Sequence, residues 1–298
     1  MVEIETAEMQ DAQKTGIPAE IARRLKAAGA PDSRMTPFEP DTAPDPIGLQ
    51  IDVPADQADA LRATLRAELL PKGFLPFLTT VRAEALTEGT RPLAVIAAAS
   101  DEELVRQIMP EQDDELPVLE SGRILKAITH CRTVFGFHIA AITPYGIELA
   151  VEALPDTWET FLTALLHFNA DEPVRRWTAT VDAAIEAAHP GFTAARQTAL
   201  GVGSGEIEQV TLTTLQEATA AGLSTEDTIQ AFRDLADRMA SVMEARLAAA
   251  QPDGLELEKL RGTRLLQTAQ EEVTRTRRVV LQWDPYDPDA WDDADEEG

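Results

Sequence analysis

The chain changes its hydrophobic rhythm twice. Near its start, Ile21 and Leu25 stand four apart behind Pro18, and Gly29 follows, which predicts a short helix from Pro18 to Ala28. Prolines at 31, 37, 40, 44 and 46 then remove backbone donors and keep the segment extended, so residues 1–46 read as an N-terminal helix and a Pro-rich linker. At residue 47 the pattern becomes period two. Ile47, Leu49, Ile51 and Val53 alternate with Gly48, Gln50 and Asp52, as a half-buried strand requires.

Ala58, Leu61, Leu65 and Leu69 follow at helical spacing, ending before Pro71 and Gly73. FLPFLTTV at 74–81 and PLAVIAAA at 92–99 read as strands, and Pro76 predicts an edge position for the first of them. Ser100 with Glu103 forms a capping box, and Ser121 is positioned to cap a helix carrying Ile124, Leu125 and Ile128. FHIAAIT and IELAVEA flank Pro144-Tyr145-Gly146 as a hairpin, and Asp156 with Glu159 opens a helix presenting Trp158, Phe161, Leu165 and Phe168 to a core.

Beyond residue 171 strand signals nearly vanish. Val174, Trp177, Val181 and Ile185 form one helical stripe, and a Gly-rich loop, GVGSG, occupies 201–205. A helix capped by Ser224 carries Ile229, Phe232, Leu235, Met239, Val242 and Leu247. A four-residue turn then leads to a returning helix with Leu257, Leu260, Leu266, Ala269 and Val273, so the pair predicts an antiparallel helical hairpin. Val279–Trp283 reads as a last strand. The expected architecture is therefore α/β (α+β): a mixed sheet with flanking helices at 47–171, a mostly helical insertion at 172–278, a closing strand at 279–283, and an acidic, disordered tail at 284–298.

Charge narrows the function classes. Fifty-two Asp and Glu against 26 Lys and Arg in 298 residues give a net charge of −26, which repels phosphate backbones and anionic lipids and attracts a basic partner or cations. The tail holds eight of those acids, so most of the acidity belongs to the folded body. Direct nucleic-acid binding and membrane attachment are thus disfavoured. The one cysteine, Cys131, offers no intramolecular disulfide, the N-terminus has neither a basic nor an apolar signal region, and the longest apolar run is Leu93–Ala99. These features point to a soluble, cytoplasmic protein.

The stretch from RILKAITHCRTVFGFHIAA through GIELAVEALPDTWETFLTALLHFNAD, over residues 123–171, and the ending EEVTRTRRVVLQWD at 271–284 resemble a bacterial family catalogued as domain of unknown function 4253. That family carries an aromatic-Cys-Pro-Asp motif where this chain has Asn169-Ala170-Asp171, and Trp-Trp-Asp where it has Gln282-Trp283-Asp284. The resemblance implies a bacterial α/β core and an accessory or immunity-type role. It transfers no mechanism.

Glu148, Asp171 and Asp284 match the family pattern and are the candidate ligands of a hard divalent cation such as Mg²⁺ or Ca²⁺, since Glu148 alternates with Ile147 and Leu149 and the other two follow element ends. No other cofactor is implied. His130, Cys131, His138, His167 and His189 lack zinc spacing, no nucleophile elbow occurs, and GVGSG lacks the register of a phosphate loop. Arg275, Arg277 and Arg278 complement a helix C-terminus. In WDPYDPDAWDDADEEG, the aromatic residues Trp283, Tyr286 and Trp291 sit among acids as candidate anchors for a basic groove. The function expected is a noncatalytic protein-binding or accessory module with an acidic surface. A carboxylate-based cation-binding protein or hydrolase, and a nucleic-acid mimic, are the alternatives.

Overall fold

A computed structural model describes residues 4–40, 44–81, 89–109, 120–200, 234, 244–249 and 253–283. The chain divides into two units, with boundaries at Arg175/Arg176 and Ala269/Gln270.

The first unit holds a seven-stranded mixed sheet with flanking helices. Its strands are β1 (Thr36–Phe38), β2 (Gly48–Pro54), β3 (Phe74–Leu78), β4 (Thr90–Ala97), β5 (Gly136–Thr143), β6 (Gly146–Ala153) and β7 (Arg278–Gln282), in the order β1-β2-β4-β3-β5-β6-β7. Every neighbouring pair is antiparallel except β3 and β5, which run parallel and touch through the single register pair Leu78↔Ala141. The helices are α1 (Thr6–Lys14), α2 (Ala19–Ala28), α3 (Ala58–Leu69), α4 (Asp101–Ile108), α5 (Ser121–Cys131) and α6 (Trp158–Leu166). A 3-10 turn, Leu70–Lys72, ends at Gly73, whose positive φ of 81° is open to glycine at no steric cost.

Residues 31–46, expected to be a linker, contain β1, and the N-terminal helices are part of the sheet unit's core. Ala12, Ile17, Ile21, Ala22, Leu25 and Met35 pack in one buried cluster with Leu49, Ile51, Val53, Leu65, Leu69, Leu93 and Val95. The prolines restrict the segment without excluding it, since an edge strand can spare a donor. Gly48, paired to Ile96, lets β2 approach β4 closely: a Cβ there would lie 2.4 Å from the Val95 carbonyl oxygen.

Pro76, expected at an edge, stands instead on an inner strand between β4 and β5. The missing donor is tolerated because the β3–β5 ladder is confined to Leu78↔Ala141, which leaves most of that flank unpaired. The predicted hairpin of β5 and β6 is present, and β7 closes the sheet beside β6. Helix α6 is capped one residue later than expected: the Thr157 hydroxyl, not Asp156, accepts from the Thr160 N–H. The first residue outside α5 is Glu120, so Ser121 lies inside the helix.

The second unit contains most of α7 (Val174–Ala188), α8 (Phe192–Leu200), a helical segment at 244–249, and the N-terminal part of α9 (Gly254–Thr276). Val181, Ile185, Phe192, Leu247 and Leu257 form its buried cluster, and Arg261 holds Asp182 through Nε at 2.5 Å and Nη2 at 3.2 Å. The returning helix appears as α9. The GVGSG loop and most of the Ser224 helix lie outside the described residues. No helix among the described residues is long and apolar enough to cross a membrane.

Candidate functional site

Helix α3 carries two adjacent stripes. Ala58, Leu61, Leu65 and Leu69 join the apolar cluster, while Asp59, Arg62 and Arg66, each one position on from an apolar residue, lie about 100° further round the helix. The second stripe faces charged groups on the β5–β6–β7 half of the sheet.

Register explains why those groups converge. Ile51↔Leu93, Leu93↔Leu78, Leu78↔Ala141, Ala141↔Glu148 and Glu148↔Val280 form one row across the sheet, so Glu148 extends the row of the apolar cluster. The irregularity between Ile139 and Ala141 makes one extra residue on β5, so that His138, opposite Ala150, and Ala141, opposite Glu148, share a face. Arg278 is also opposite Ala150, and Arg91 is opposite Val53, on that same face.

Glu148 is fully withdrawn from water and lies between two arginines. Arg91 Nη2 stands 3.3 Å from its Oε2, and Arg278 Nε 3.4 Å from its Oε1. Arg278 also reaches Asp59 through Nη2 at 2.6 Å, and Arg91 Nη2 donates to the Thr80 carbonyl at 2.7 Å. Arg62, only 2 % exposed, donates from Nη1 to His138 Nε2 at 2.9 Å. That bond requires an unprotonated Nε2, so His138 carries its proton on Nδ1 and donates it to Glu152 Oε1 at 2.8 Å. Burial, then the charge of Arg62, pulls the His138 pKa below its ordinary value against the opposing pull of Glu152. Burial and the nearby charge of Arg278 lower the Arg62 pKa to about 10.

Asp101, the first residue of α4, occupies the split between β3 and β5. Its Oδ2 accepts from the Ile139 N–H at 3.2 Å and from Arg132 Nη2 at 3.0 Å, and its Oδ1 lies 3.0 Å from Arg66 Nη2. One carboxylate thus satisfies a strand donor that the short parallel ladder leaves open and ties α3 to the end of α5.

Two of the three expected cation ligands, Glu148 and Asp171, are among the described residues. Glu148, read as a ligand pointing from the sheet, is the counter-ion of two guanidiniums, those of Arg91 and Arg278. Asp171 is exposed in the loop after α6, where its carbonyl accepts from the Arg175 N–H, and Asp284 lies outside the described residues. Trp283, read as a docking anchor, is 3 % exposed: its Nε1–H donates to the Phe168 carbonyl at 3.3 Å and its backbone N–H to the Tyr145 carbonyl at 3.0 Å. Its ring is part of the core, and Tyr286 and Trp291 lie outside the described residues.

Cys131 is buried, its thiol donates to the Ala164 carbonyl at 3.2 Å, and burial pushes its pKa up to about 12. It is a core group between α5 and α6. The rings of His130 and His167 lie with centroids 4.0 Å apart, tilted by 47°. The internal arginine layer was missed because charged residues on a helix ordinarily mark a solvated face. Its signals were the Asp59, Arg62, Arg66 spacing beside an apolar stripe and an acid, Glu148, between Ile147 and Leu149 in a mostly apolar strand. Comparisons with family models, with curated proteins and with solved structures returned no match.

Proposed function

We propose that this protein is a noncatalytic binding module of the bacterial cytoplasm, an accessory or immunity-type protein that engages a basic protein partner through its carboxylate-rich surface. The observation that supports this reading is where the cations go. Of 26 Lys and Arg, Arg62 and Arg91 are buried, and Arg66, Arg278 and Arg261 keep 12–15 % of their side chains exposed. The exterior is therefore left with still fewer positive charges to set against the acids. Such a surface steers a basic partner and repels phosphate backbones. The resemblance to the uncharacterised bacterial family supports the same role.

Native mass spectrometry of the protein gently purified from its own cells tests the reading. A stoichiometric partner of basic isoelectric point, released as salt rises, is the expected result. Recovery of the protein alone, or of a partner whose binding is indifferent to salt, overturns it.

A further inference from the structure

Helices α5 and α6 share one acceptor. The Ala164 carbonyl accepts from the Cys131 thiol at 3.2 Å and from the His167 backbone N–H at 3.1 Å. Cys131 ends α5 and directly follows His130, so this buried link fixes where both histidines leave the backbone. Their exposed rings meet, with centroids 4.0 Å apart and planes tilted by 47°. Among the described residues neither imidazole has a hydrogen-bond or ion-pair partner, whereas both nitrogens of His138 are engaged. The tilt matters, because lone pairs lie in the ring planes: two parallel rings cannot aim them at one atom, and two tilted rings can. Two imidazoles bound to one metal ion at ordinary metal–nitrogen distances have centroids about 5 Å apart, so binding asks this pair to open by about 1 Å, a motion open to exposed side chains.

We propose that His130 and His167 form a two-imidazole site for one divalent transition-metal ion of borderline softness, the class of Zn²⁺, Ni²⁺ and Cu²⁺. Imidazole suits these ions, while hard Mg²⁺ and Ca²⁺ take oxygen ligands. Lys126, which lines the same groove as His130, adds a positive charge that selects further against an ion held by charge alone. No group of three or more His, Cys, Asp or Glu ligands occurs among the described residues, so water fills the other coordination positions, and the groove beside His130, about 500 Å³, gives it room. Chelate spacing is absent from the sequence because the two ligands come from different helices. The site does not depend on the acidic surface or on a partner bound there.

Cu²⁺ is the spectroscopic probe, added below one equivalent to the whole metal-free protein at neutral pH. Electron spin-echo spectroscopy counts the imidazoles on the ion, and two are expected. His130→Asn and His167→Asn change exposed positions and are expected to leave the melting temperature of the metal-free protein unchanged. Each should reduce the count to one and weaken Cu²⁺ and Zn²⁺ affinity in calorimetry about tenfold or more, since a chelate loses its second arm. His189→Asn should change neither reading. One imidazole or none in the wild-type protein, a count of two that survives either substitution, or displacement of Cu²⁺ by an equal concentration of Mg²⁺ overturns the proposal.

Discussion

Glu148 and Arg91, on strands separated by β3 and β5, meet 3.3 Å apart with no more than 5 % of either side chain exposed. Removing one member of such a pair strands the other in a medium that cannot solvate it, and here a second cation, Arg278, is stranded too. Glu148→Gln is expected to cost about 4 kcal/mol of unfolding free energy in a denaturant titration. Arg91→Met combined with Glu148→Gln is expected to cost less than the two single losses together, since the double variant leaves fewer buried charges unmatched. Additive losses would mean that the two groups do not sense one another.

His138 gives the layer a pH dependence whose sign follows from its surroundings. Its folded pKa lies below the ordinary value of 6.5, chiefly through burial and then through Arg62 and Arg66, with Glu152 pulling the other way. The unfolded chain therefore takes up this proton first as pH falls. The stability contributed by neutral His138 is complete above about pH 6.5 and is lost below it, with a slope of at most about 1.4 kcal/mol per pH unit. Denaturant titrations of the protein and of His138→Gln should diverge in slope over that range, with the variant flatter. Parallel slopes would exclude His138 as the cause.

Glu8 fastens the N-terminal region to the sheet unit. Its buried carboxylate accepts from Lys26 Nζ at 2.8 Å, from the Met35 N–H at 2.8 Å and from the Glu5 N–H at 3.1 Å, so one side chain joins α1, α2 and the approach to β1. Burial alone would raise its pKa, and these hydrogen bonds outweigh burial and hold it low. Its contribution is present above about pH 4.5 and is lost as pH falls through the folded value. Glu8→Gln is expected to cost about 2 kcal/mol and to speed hydrogen exchange at the Met35 amide above that at Leu93. Equal acceleration at both amides would show a general loosening and remove this local role.

How much of this the sequence disclosed depends on whether a segment's neighbours are close in the chain. The stripe Ala58, Leu61, Leu65, Leu69 and the β5–β6 hairpin were legible because helical spacing and a short turn are local facts. Strand β1 was not, because Thr36-Pro37-Phe38 has little strand character of its own and exists by pairing with Gly48–Gln50. The site was hidden for the same reason. Arg62, Arg91, Glu148 and Arg278 each look like a solvated charge, and only the register that aligns β4, β5, β6 and β7 makes them partners. Glu148 was singled out as a metal ligand because it alternates with Ile147 and Leu149, whereas its counter-ions come from residues 57 positions before it and 130 after it. Trp283 misled because its position next to an acidic stretch of sequence says nothing of the ring, which the fold buries with its Nε1–H on the Phe168 carbonyl.

Cys131 is expected to be inert in the folded protein. A thiol held near pKa 12 by burial, and donating to the Ala164 carbonyl, presents almost no thiolate at neutral pH. An aromatic disulfide reagent at about pH 8 should leave it unmodified until denaturant is added, when one equivalent should react. Rapid labelling of the folded protein would require an opening between α5 and α6.

Trp283 separates folding from partner binding. The indole is buried and donates to the Phe168 carbonyl, while its backbone N–H continues the link from β7 to the turn at Tyr145. Truncation to alanine removes a large ring and leaves that carbonyl without its donor, so Trp283→Ala is expected to cost about 4 kcal/mol in a denaturant titration. Trp283→Phe keeps most of the volume and loses only the donor, so about 1 kcal/mol is expected. If the acidic surface carries partner binding, Trp283→Phe should bind the basic partner with unchanged affinity and unchanged salt dependence, measured by calorimetry at two ionic strengths. Wild-type stability combined with a large loss of affinity in either variant would return the ring to the binding surface and take it out of the core.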